Sequence, residues 1–86
     1  MNKNSDIHPG MLFAVTRGTY FGANLVCIDS SESKINFLNV NDMTNMSISR
    51  EDALTGLETN VLELLESIPD DIMDICIKQY EKNINN

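Results

Sequence analysis

The polar and apolar positions change their spacing near the middle of the chain. From Met11 the period is two. In "MLFAVT", Met11, Phe13 and Val15 fall on one side of an extended chain and Leu12 and Ala14 on the other, both sides apolar. "ANLVCID" reads as a second strand, "KINFLNV" (34–40) alternates as a third, and "MSIS" is a short fourth. "SSES" and "NDMTN" supply turns between them, so the four make an antiparallel meander. Residues 1–9 read as a flexible lead-in that ends in His8-Pro9.

After Ser49 the period becomes helical. Ser49 with Asp52 forms a capping-box variant opening "REDALTG", which Gly56 closes. Asn60 with Glu63 is read as capping a second helix through "VLELLES". Ser67, Pro69 and Asp70 open the last helix, with Asp70, Asp71 and Asp74 at its start and Lys78 and Lys82 toward its end, as the helix dipole favours. The expected fold is α+β in one domain, 1–86. A small antiparallel curled sheet of about four strands (10–49) precedes two or three acidic helices (50–83).

Between the first two strands lies "TRGTYFG". A phosphate-binding loop needs a lysine after its glycines and a helix to follow; here no lysine follows and a strand does. A base-stacking platform needs basic neighbours around Tyr20 and Phe21, and only Arg17 is near. The glycines therefore read as geometric, with Gly18 and Gly22 taking positive φ and the aromatics covering the end of the core. This order of elements over about residues 10–50, with its glycine-containing turn before an apolar strand, resembles the SH3-like barrels, including their KOW type. The resemblance implies a curled sheet. The basic loops that accompany nucleic-acid binding in KOW domains are missing here.

Charge sharpens the picture. In residues 1–50, Lys3, Arg17, Lys34 and Arg50 balance Asp6, Asp29, Glu32 and Asp42, so the whole net charge of −7 lies in 51–86. Such a chain repels phosphate backbones and suits a basic protein partner. The expected partner-binding face is Glu63, Glu66, Asp70, Asp71 and Asp74. The last helix also carries two offset apolar stripes, one of Ile72, Ile75, Cys76 and Tyr80 and one of Met73, Ile77, Tyr80 and Ile84, with Tyr80 at their border. One covers the sheet, and the second is expected to meet a neighbouring helix or a second copy, giving a homodimer interface of Met73, Ile77 and Tyr80.

Candidate chemistry is sparse. "DDIMD" has the Asp-Asp-x-x-Asp spacing of prenyl-transfer enzymes, but a chain of 86 residues has no room for their large cavity, and the three acids read as a dipole-matched helix start. Cys27 and Cys76 sit in apolar stretches and read as buried core residues, and no cysteine or histidine pair has metal-ligand spacing. No catalytic, cofactor or metal residues are expected. No apolar run approaches the ~20 residues of a membrane span, and the N-terminus has no signal-peptide core, so a cytoplasmic protein is expected. Eleven asparagines beside nine isoleucines point to an AT-rich gene, as in phages and mobile elements. The expected function is a non-catalytic interaction or regulatory protein, one version being a nucleic-acid mimic or inhibitor. The alternatives are an SH3-like or KOW-like RNA- or DNA-binding module using the sheet, and a small-ligand binder or enzyme subunit, which would need a formed pocket.

Overall fold

The computed structural model describes residues 6–85. Strands β1 (Met11–Val15), β2 (Asn24–Ser30), β3 (Lys34–Asn39) and β4 (Thr44–Ser49) form the expected antiparallel meander. Helix α1 (Arg50–Glu58) follows at once, then strand β5 (Leu62–Ser67) and helix α2 (Asp70–Asn85). The sheet order is β4-β3-β2-β1-β5. The connection through α1 thus crosses the whole meander to set β5 against β1, antiparallel, from Met11–Ser67 to Val15–Leu62. β4 and β5 are the two edges and do not pair, so the sheet is not closed.

Two faces of the sheet make two cores. On one, Phe13, Leu25, Cys27, Ile35 and Phe37 are fully buried against Ala53 of α1, with the Phe13 and Phe37 rings edge to face at 6.3 Å. On the other, Val26, Ile28 and Leu38 lie under Cys76 of α2. This explains why β1 to β3 are apolar on both sides: each face carries a helix. The helices stand on opposite faces of the sheet, which excludes the expectation that they cover one another.

Several local readings are corrected. "VLELLES" forms a strand: the register places Leu62 opposite Val15 and Leu64 opposite Phe13, both toward the α1 face, and Leu65 is the extra residue of a β-bulge. Gly56 lies inside α1, and an added Cβ there would come within 3.3 Å of the Leu62 side chain. The helix ends instead at Thr59. Asn60, expected to cap a second helix, has φ 63°, the left-handed conformation that closes the helix before it. Ser49 does cap α1, its hydroxyl accepting from the Asp52 N–H at 3.1 Å. Within the lead-in, residues 1–5 lie outside the described residues, but Ile7 is fully buried in the α1-side core and Asp6 pairs with Arg50, so these two are tied down while His8 and Pro9 are exposed.

Candidate functional site

The loop between β1 and β2 is held from three sides. Gly18 and Gly22 both have φ of +91°, the Phe21 N–H donates to the Gly18 carbonyl at 3.1 Å, and the Gly22 N–H returns to Val15 at 3.0 Å. Asn41, in the β3–β4 turn, donates to the Gly22 carbonyl at 3.1 Å. On the other side the Arg17 guanidinium donates to the Thr59 carbonyl at 2.8 Å and the Thr16 hydroxyl to the Asn60 carbonyl at 2.6 Å. The loop is thereby tied to the C-terminal end of α1. Tyr20 and Phe21 do not cover the core as expected: they are 57% and 72% exposed. With the loop pinned and its aromatics outside, the geometric reading of the glycines stands and that of the aromatics falls.

Beneath this loop, at the seam where β4 and β5 fail to meet, is a cleft of about 270 Å³. Its walls come from Met46 and Ile48 of β4, Ala53 and Gly56 of α1, and Val61 and Leu62 at the start of β5, with Arg17, Thr19, Tyr20 and Asp52 at its polar positions. The small side of α1 makes the room, since Ala53 and Gly56 are one helical turn apart. Sequence reading missed this cleft because it joins residues from five separate stretches of the chain.

The acidic residues are all exposed, but the structure divides them. Glu63 pairs in register with Ala14 and Glu66 with Leu12, which puts both on the α2 side of edge strand β5. Asp70, Asp71 and Asp74 lie beyond them on α2. By helical spacing Asp70 and Asp74 share a flank with Glu81, while Asp71 points away from the sheet. None of the five forms an ion pair among the described residues, whose salt bridge is Arg50–Asp6.

The apolar stripes of α2 divide otherwise than read, although Cys76 faces the sheet as expected. Met73, Ile77 and Tyr80, expected at a dimer interface, pack with Cys76 against the protein's own sheet. Ile72 and Ile75, expected inside, are 43% and 62% exposed. Their flank continues into Gln79 and Asn83, and Asp71, Lys78 and Lys82 border Ile75 on its solvent side. Asn83 fixes its orientation, donating to the Met43 carbonyl and to the Asn45 side chain, each at 2.8 Å. The groove beside this flank is lined by Leu12, Val40, Met43 and Glu66.

Neither cysteine is poised for chemistry. Burial, aided by the Asp29 charge, pushes the Cys27 thiol up to about 12, and burial also raises Cys76. Burial likewise raises the Tyr80 phenol. No three metal-ligating side chains cluster among the described residues, and no helix there is long and apolar enough to cross a membrane. Compared with protein-family models, curated proteins and solved structures, the chain matches none.

Proposed function

We propose that the protein is a non-catalytic interaction protein that binds a basic surface on a partner through the acidic segment running from β5 into α2. The observation that carries this reading is the segregation of charge: residues 51–77 hold eight acids and no lysine or arginine. Glu63, Glu66, Asp70, Asp71 and Asp74 of this stretch are exposed and lack ion-pair partners among the described residues. Unneutralised carboxylates steer a cationic partner and speed its approach. An edge strand with five of its six residues exposed gives that partner an open surface to meet.

The alternative, a nucleic-acid-binding module using the sheet, has less support. Both sheet faces lie under helices, and Arg50 is already held by the Ser31 carbonyl and the Asp6 carboxylate. The protein is proposed to work in the cytoplasm, a phage or mobile-element accessory acting as nucleic-acid mimic being one version of the role. Its fold is proposed to be SH3-like, with α1 inserted where the chain crosses from β4 to β5. A homodimer is proposed to use Ile72 and Ile75, because they are apolar side chains of α2 that its own sheet leaves exposed.

Calorimetric titration with nona-arginine and with a DNA duplex tests the proposal. The peptide is expected to bind with an affinity that falls steeply with salt, and Asp70→Asn/Asp71→Asn/Asp74→Asn with Glu63→Gln/Glu66→Gln to abolish it. No duplex binding is expected at about 0.15 M salt. Micromolar, salt-sensitive binding of the duplex would overturn the reading, as would peptide binding indifferent to the five substitutions.

A further inference from the structure

The cleft at the β4–β5 seam has an apolar interior, and its polar lining residues are Thr19 and Tyr20 of the loop and the charged pair Arg17 and Asp52. The Arg17 guanidinium donates one hydrogen bond, to Thr59, and keeps further N–H groups for a ligand. The Asp52 carboxylate accepts no hydrogen bond and forms no ion pair among the described residues. A donor and an acceptor at one apolar hole match a ligand that carries an acceptor and a donor beside an apolar body. A single amino-acid residue in a polypeptide has that form, since its C=O and N–H flank its side chain. The volume, about 270 Å³, exceeds the ~150 Å³ of a protein cavity that takes up benzene, so it admits an aromatic side chain.

We propose that this cleft receives a single aromatic side chain of a partner polypeptide, with Arg17 meeting a backbone carbonyl and Asp52 a backbone N–H beside it. The inference rests on the reading of the protein as one that binds other proteins, and it adds a neutral anchor separate from the acidic segment. Charged surfaces govern how fast partners meet, while buried aromatic anchors in well-packed pockets hold most of the binding energy. The two features therefore divide the work of recognition. The pinned loop above the cleft keeps the rim in place: Thr16 and Arg17 tie it to the end of α1, and Asn41 ties it to the β3–β4 turn.

The test uses uncharged probes in a ¹H–¹⁵N titration of the full chain: N-acetyl-L-tryptophanamide, N-acetyl-L-phenylalaninamide and N-acetylglycinamide. Saturable shifts are expected at Gly18, Ala53 and Gly56 with the two aromatic amides, independent of salt, and none with the glycine amide. Ala53→Leu fills the cleft from α1 and is expected to weaken binding at least tenfold. Met46→Phe fills it from the β4 side and serves the same purpose should the α1 variant fail to fold. Arg17→Gln is expected to weaken the tryptophan amide severalfold while leaving binding of unsubstituted indole unchanged. Absence of saturable shifts at about 20 mM probe would overturn the proposal, as would binding that survives in the folded filled variants. Equal loss of amide and indole binding on Arg17→Gln, or loss of neither, would overturn the backbone contact. The probes carry no charge, so their failure leaves the nona-arginine result standing, and the reverse holds too.

Discussion

Replacing Gly22 by residues of each hand isolates the energetics of the β1–β2 loop. Its φ is +91°, and no heavy atom lies within 4 Å of the place a Cβ would take. Packing therefore contributes nothing, and the cost of a side chain is that of the backbone conformation alone. For an L-residue this conformation costs roughly 1–2 kcal/mol, with β-branched residues at the upper end. For a domain of 86 residues, each kcal/mol moves the melting point by about 4–8 °C. Gly22→Val is then expected to lower Tm by roughly 5–15 °C. D-alanine, introduced by chemical synthesis, adopts +91° without strain and restricts the unfolded chain. It is expected to stabilise by about 0.4–1 kcal/mol, a rise of a few degrees. Far-ultraviolet circular dichroism through thermal unfolding reads both. A valine variant that melts with the parent, or a D-alanine variant that melts below it, would refute the reasoning. Gly18, with the same φ and the same open surroundings, should behave alike.

The placement of other side chains leads to two further outcomes. Met73→Glu puts a carboxylate against the sheet and should cost about 2 kcal/mol or more, whereas Ile75→Glu, at an exposed position, should stay within about 0.5 kcal/mol; urea unfolding of the pair checks which stripe faces the core. A thiol reagent at pH 8 should modify Cys27 only as the protein unfolds, and rapid reaction in the native state would contradict its burial. Because the Cys27 thiol ionises higher in the folded chain than in the unfolded, its contribution to stability is complete below about pH 9 and is lost as pH rises toward about 12. Unfolding midpoints measured across that window should fall, and Cys27→Ala should flatten the fall.

The meander was legible because alternation survives burial on both faces, and because its turns carry Ser, Asn and Asp. β5 was not, for a local reason. Leu62 and Leu64 alternate as a strand requires, but the bulge inserts Leu65 and breaks the period. What remains, apolar at 61, 62, 64 and 65 in a background of leucine and glutamate, matches a helix in both spacing and propensity. The acids of the candidate partner surface were readable as a composition shift. Their split between a strand and a helix flank was not, since it depends on that same misread segment. On α2 the two stripes are equivalent as patterns, and only the position of the sheet and the tie from Asn83 to the β3–β4 turn choose between them. The cleft left no signature along the chain at all.

The return of β5 to β1 also sets an order of events. Each pairing inside the meander joins neighbours in the sequence, whereas β5 must find a strand about fifty residues behind it before its contacts repay the loop closure. Chain collapse should thus build β1 to β4 first and add β5 late. Once folded, the same strand should be the first to part, its amides exchanging with solvent while those of β2 and β3 remain protected. The edge that offers its acids to a partner is also the one a bound partner would do most to hold shut.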